Sequence, residues 1–266
     1  MEKRELVRDM VIATREQLRR DGWGVDKEKD IDNPKGRSVS VKIRVHKDLR
    51  SVPPPSSTAP HPISHPLTPP DSKTIDFITT VLGPDQDRHI DWLTIHPRTR
   101  STPSSTPINL EALELLTSTF GPRVPILLSG DIFALNALPF TSPLHSTTFS
   151  TTPDPDPAAT NPLTPLPHLA GLMSARALLA NPALYAGHPA CPWPAVEAFL
   201  RHAARAPLPL KLVQHHLSEM CGPGMGPDKR ALLTRQERAG MMACGNMVDL
   251  VDFLEGRKGL RRRDGE

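Results

Sequence analysis

Lys42, His96, the run Ser129-Gly130-Asp131 and the pair Ala175-Arg176 are the residues whose types and spacing could do chemistry in this sequence. Each closes or follows a short apolar or β-branched run. A lysine in such a place can stabilise negative charge developing on a bound ring. His96-Pro97-Arg98-Thr99-Arg100 gathers an imidazole, two guanidinium groups and a hydroxyl in one loop, a set suited to a phosphate or a nucleobase. In Ser129-Gly130-Asp131 the glycine lets backbone approach a ligand closely, and the aspartate can accept hydrogen bonds from ligand hydroxyls. Ala175-Arg176 opens a helix, a position that favours an anion. Taken singly, each has a plain structural reading: a lysine snorkelling at a sheet edge, a packed histidine, a turn that caps the next helix. Recurrence at four successive strand ends is what favours a site.

The elements that position these residues follow from periodicity. Leu6, Val7, Met10, Val11 and Leu18 at helical spacing predict an amphipathic helix over residues 2–20, followed by a polar break over 21–37. Strands are expected at 38–44, 90–96, 124–132 and 168–174, and helices at 73–82, 108–120 and after Ala175. This alternation predicts an α/β fold with parallel strands, and in an α/β barrel the chemistry lies at the C-terminal ends of the strands. From residue 194 the strand signal vanishes, and helices are expected at 196–204, 208–220 and 229–254. The expected division is therefore a partial barrel over 1–190 and an all-α domain over 191–266.

Composition sets limits on this. Of 266 residues, 31 are proline, concentrated in two stretches, 51–70 and 141–167, that are otherwise Ser, Thr and His and are expected as disordered insertions. Without them about 200 residues remain, fewer than the ~250 of a complete eight-stranded barrel. Net charge is only +3, but the C-terminus carries Arg261, Arg262 and Arg263, a run that reads as a solvated tail or a phosphate-contacting arm. Three cysteines without CxxC spacing argue against a disulfide framework and against a zinc site, and favour a reducing compartment. No apolar run of membrane-spanning length is present in the sequence, and the expectation is a soluble protein.

The strings Val41-Lys42-Ile43-Arg44, Ile95-His96-Pro97-Arg98-Thr99-Arg100, Ser129-Gly130-Asp131-Ile132 and Met173-Ser174-Ala175-Arg176-Ala177-Leu178-Leu179-Ala180-Asn181-Pro182 resemble, in order, conserved blocks of the tRNA-dihydrouridine synthases, with the nearest likeness to their fungal cytoplasmic branch. The resemblance covers about residues 5 to 50, 73 to 140 and 168 to 255. It implies that the strands are numbers five to eight of a TIM-type (β/α) barrel, followed by a helical domain that helps grip tRNA. It implies FMN as cofactor and NADPH as reductant. Lys42 and His96 would contact FMN, Ser129 to Asp131 would meet its ribityl and phosphate part, and Ala175 with Arg176 would hold the phosphate. Arg98, Arg100 and Arg261 to Arg263 would meet the RNA. The implied reaction reduces the C5–C6 double bond of a flipped-out uridine in tRNA, with hydride from the reduced cofactor and a proton from a cysteine.

Departures from the family pattern carry their own expectations. Ser129 stands where the family usually has Asn, and Ala175 where it has Gly. The Asn-x-x-Cys-Pro block that carries the proton-donating cysteine has no counterpart in this sequence; Cys191 precedes Pro192 but sits beyond the last strand. The expectation is a chain that is inactive alone, that self-associates through exposed strand edges, and that is cytoplasmic or nuclear. Three other readings stay open: an FMN barrel oxidoreductase with a small-molecule substrate, a non-catalytic RNA-binding or adaptor protein, and a piece of a longer chain in which Met1 is internal.

Overall fold

A computed structural model describes residues 3–25, 37–50, 72–142 and 164–263. The expected insertion 51–70 lies outside the described residues, as does most of 141–167. Contacts divide the chain into two compact units, one of residues 1–131 with 139–173 and one of 132–138 with 174–266. The division falls at Met173–Ser174 and around the loop 132–138, where residue 190 was expected from the sequence.

The first unit runs α1 (Arg4–Arg20), β1 (Ser40–Arg44), α2 (Lys73–Leu82), β2 (Trp92–His96), α3 (Leu110–Phe120), β3 (Ile126–Ser129), β4 (Phe140–Thr141), β5 (Thr164–Pro165) and β6 (Leu169–Met173). Four strands form one sheet in the order β1-β2-β3-β6, and every neighbouring pair is parallel. The fold is thus α/β, with α2 and α3 in the crossovers from β1 to β2 and from β2 to β3, an arrangement compatible with part of a (β/α) barrel. Local chemistry starts and stops the helices: the Ser72 hydroxyl accepts from Thr74 N at 3.2 Å, Asn109 Oδ1 accepts from Ala112 N at 2.9 Å, and Gly83 ends α2 at φ 78.

Alternation along the strands separates two faces. Ile43, Leu93, Ile95, Ile126 and Leu128 are buried and belong to the core with Ile78, Leu82, Leu113 and Leu116 of the helices. On the opposite face the register sets Lys42 beside Thr94 and Leu127, and Arg44 beside His96, while Ser129 pairs with Met173. Lys42 Nζ lies 3.3 Å from Met173 Sδ. These residues sit on the first and fourth strands of the sheet, about 14 Å apart if it were flat. Two side chains that meet across that span show the polar face to be concave.

The amphipathic helix expected over 2–20 is present as α1, in which Val11 and Arg15 are buried whereas Leu6 and Met10 are exposed. Arg15 is drawn inward by Asp91, with Nη2 to Oδ2 at 2.8 Å, and by the carbonyls of Val25 and His89. The second insertion is narrower than 141–167. Thr141 pairs with Pro165 in a short parallel ladder, and Leu166 is fully buried with its N–H donating to Thr141 O at 2.8 Å. Apolar Phe140 and Leu166 anchor both ends of the excursion, which a reading by proline content misses.

Among the described residues of the second unit every regular element is helical: α4 (Arg176–Ala180), α5 (Trp193–Arg205), α6 (Leu210–Met220), α7 (Arg235–Ala243) and α8 (Met247–Arg263), with 3-10 turns between some of them. Val196, Val213, Leu217, Leu233, Met241, Leu250 and Leu254 form its core. The continuous helix expected over 229–254 is two helices. Thr234 and Glu237 make a reciprocal capping box that starts α7. Asn246 Oδ1 accepts from Asp249 N at 2.9 Å at the start of α8, and Gln214 Nε2 donates to the carbonyls of Met241, Met242 and Cys244 at 3.1, 3.3 and 3.0 Å. No helix among the described residues is long and apolar enough to cross a membrane.

Candidate functional site

Parallel pairing brings the C-terminal ends of β1, β2, β3 and β6 to one edge of the sheet, and the loops that follow them carry the polar residues. Arg98, in the loop after β2, is only 3% exposed. Its Nη2 donates to Asp131 Oδ1 at 2.5 Å, its Nε to Thr106 O at 2.6 Å, and its Nη1 lies 3.4 Å from His96 Nε2. The other Asp131 oxygen accepts from Ile108 N at 2.9 Å. One buried ion pair therefore joins the loop after β2 to the loop after β3 and rests against the imidazole.

The backbone after β3 is shaped for this. Gly130 has φ 115 and Asp131 φ 57, the latter a left-handed conformation that Asp tolerates better than most residues. A Cβ on Gly130 would stand 3.1 Å from His96 Nε2 and 3.2 Å from Ile108 Cγ2, so glycine leaves room for the ring. Burial pushes the His96 imidazole down to about 4, helped by the positive charges of Arg44, Arg98 and Lys42 and opposed by Asp131. At neutral pH it is an uncharged ring.

Lys42 is exposed and points over the concave face; its Nζ meets the Met173 thioether, and its charge has no ion-pair partner among the described residues. Arg44, two residues on and therefore on the same face, donates through Nη1 to Thr99 O at 3.1 Å. Arg44 and Met173 complete this polar face although the sequence reading singled out neither. For Arg44 the period-2 spacing from Lys42 was the available signal; Met173 had none, since its partner lies 131 residues away.

The first unit brings Lys42, His96, Arg98, Ser129, Gly130 and Asp131 to one sheet edge. Arg98 and Asp131, read as groups that meet ligand or RNA, are both committed to each other and to the chain. The Thr99 hydroxyl is turned to Thr102 Oγ1 at 2.7 Å, and Thr99 is buried. Arg100 is exposed beside them. Ala175 and Arg176 belong to the second unit. Both are exposed there, the Arg176 guanidinium 5.8 Å from the Phe133 ring centroid, and Ser174 N donates to the Tyr185 hydroxyl at 2.8 Å. Arg261, Arg262 and Arg263 fall in the last turn of α8, with side chains outside the described residues. Among the described residues no cluster of His, Cys, Asp or Glu could hold a metal ion. Burial raises the Cys191 thiol to about 11, so it is a protonated core residue at neutral pH.

A parallel α/β sheet whose strand ends collect two cations and a neutral imidazole on a concave face defines a site for an anionic or electron-rich ligand. No protein-family model matches the chain. It is 34% identical over 170 residues to tRNA-dihydrouridine(20a/20b) synthase of Saccharomyces cerevisiae, covering 63% of this chain and 38% of that protein. The protein of the same name in Schizosaccharomyces pombe is 31% identical over 174 residues, 65% of this chain and 43% of its own. A human tRNA-dihydrouridine(20a/20b) synthase-like protein is 22% identical over 258 residues, 97% of this chain and 58% of its own. The names of all three include NAD(P)+. The resemblance to the tRNA-dihydrouridine synthase family is thus shown by sequence kinship, and the chain spans between 38% and 58% of the length of these relatives.

Proposed function

We propose that this chain carries the FMN-binding and tRNA-gripping part of a tRNA-dihydrouridine synthase, with β1, β2, β3 and β6 as the last four strands of a (β/α) barrel and the helices from residue 191 as its RNA-binding domain. The observation that carries the proposal is the concave polar face on which Lys42, Arg44 and His96 converge at parallel strand ends, in a sequence related to enzymes of that name.

The residues of the first unit fit FMN. Lys42 offers an ammonium against the Met173 thioether with no ion-pair partner among the described residues, His96 a neutral ring able to hydrogen-bond, and Asp131 has its charge matched by Arg98, which lessens its repulsion of an anionic group. When bound, FMN would supply the hydride chemistry, with NADPH as the reductant. The chain's residues would do the rest: Lys42 balances negative charge on the ring, His96 hydrogen-bonds to it, and the Ser129-Gly130 turn presents backbone at its edge. Ala175 and Arg176 are read as the phosphate-holding pair on sequence resemblance alone. The substrate would be a uridine in tRNA, presented out of its stack.

The test is gel filtration of the purified chain with added FMN, followed by a visible absorbance scan and a tRNA-binding assay. The expected result is flavin co-eluting with protein, lowered at least tenfold in affinity by Lys42→Met, together with tRNA binding. Flavin without tRNA binding would favour a barrel oxidoreductase acting on a small molecule. Salt-sensitive tRNA binding without flavin would favour a non-catalytic RNA binder.

A further inference from the structure

The hydrogen-bonding character of His96 is decided by its neighbour. An arginine side chain has donors and no acceptor. Arg98 Nη1 lies 3.4 Å from His96 Nε2, so Nε2 has to be the accepting nitrogen. In a neutral imidazole that places the ring hydrogen on Nδ1. We propose that the buried Arg98–Asp131 ion pair is a positioning device that fixes His96 as its neutral Nδ1–H tautomer, so that His96 offers a hydrogen-bond donor to a ligand acceptor, a carbonyl oxygen or deprotonated ring nitrogen. The ligand side of this inference rests on the flavin reading; the tautomer itself does not.

Four features make the arrangement rigid. Arg98 is almost fully buried and uses its other donors on Thr106 O and Asp131. Asp131 is held in turn by Ile108 N. The left-handed backbone at residue 131 points its carboxylate at the guanidinium, and the missing Cβ of Gly130 leaves the ring its place. A doubly protonated ring would face the guanidinium with like charge, in keeping with the lowered affinity of His96 for a second proton. Among the described residues Nδ1 has no partner, so its hydrogen is available to a ligand.

Nitrogen-15 NMR of the imidazoles in the labelled full chain reads this directly, with His96 assigned by the signal lost in His96→Gln. The expected spectrum at pH 7 shows His96 protonated at Nδ1 and bare at Nε2. Arg98→Met is expected to move the population toward the Nε2–H form and to weaken FMN binding about tenfold. Arg98→Lys keeps a charge opposite Asp131 and is the variant to measure if the methionine chain does not fold; a mixture of tautomers is expected. An Nε2–H ring in the unsubstituted chain, or a tautomer unmoved in a folded Arg98 variant, would overturn the proposal. An Nδ1–H ring in a chain that binds no FMN would leave the tautomer assignment standing and overturn the flavin reading.

Discussion

A guanidinium that is 3% exposed needs its counter-charge. Asp131→Ala would leave Arg98 buried with an uncompensated charge, which typically costs about 3–5 kcal/mol, and would put alanine at φ 57 at a further ~1–2 kcal/mol. Asp131→Asn keeps an acceptor for Ile108 N and tolerates the left-handed backbone, so its loss should be smaller. Urea unfolding followed by tryptophan fluorescence checks both, and a loss under about 1 kcal/mol for the alanine variant would show that the pair does not hold the loops. His96 predicts a pH effect of definite sign. Its proton affinity is lowered from 6.5 to about 4 by burial and by Arg44, Arg98 and Lys42, against Asp131. Between those values the unfolded chain binds more protons, so stability should fall as pH drops from about 6.5 to about 4 and level off below. After allowance for solvent screening the contribution is on the order of 1–2 kcal/mol, and His96→Gln should flatten that part of the unfolding profile. Lys42 and His96 were legible as candidates because residue type and strand-end position are local. The pairing of Arg98 with a residue 33 positions away was not, since nothing local distinguishes a guanidinium facing ligand from one facing an internal carboxylate.

At the scale of elements, hydrophobic period and turn chemistry located every strand of the main sheet and most helices. They failed where a tertiary contact or a cap overruled the period. The apolar spacing through 229–254 ran past a start that Thr234 caps and across a break that Asn246 and Gln214 create. Gln214 is fully buried and its two amide hydrogens are shared among three carbonyls at the end of α7, while its own Oε1 has no partner among the described residues. Gln214→Leu removes that orphaned oxygen along with the donors, and a net loss of about 1–2 kcal/mol is expected. Gln214→Glu should cost more, because a carboxylate would face the same carbonyls. Hydrogen exchange at the amides of α7 and α8 distinguishes the cases: protection in these helices should fall in the order wild type, Leu, Glu, and equal protection in all three would mean that apolar packing alone sets the break.

For the whole molecule, a net charge of +3 says little about a polyanionic partner, but its distribution says more. In residues 174–266 basic side chains outnumber acidic ones. Lys258 is paired with Glu197, Arg230 with Asp228 and Arg257 with Glu237, whereas Arg205, Lys211 and Arg235 have no ion-pair partner among the described residues. If three or four such groups meet tRNA phosphates, each displaces condensed counterions, and the binding constant must fall with salt. About four phosphate contacts weaken binding roughly 100-fold between 50 and 200 mM salt. Charge reversal at Lys211 and Arg235 should lower the slope of affinity against salt as well as affinity itself, because fewer counterions are released. Fluorescence anisotropy with labelled tRNA across that salt range measures both quantities. A slope near zero would remove phosphate contact from the account and with it the RNA-gripping part of the proposed function. A steep slope unchanged by the two reversals would keep RNA binding and move its contacts to other basic groups, with the arginines near residue 261 the next to test.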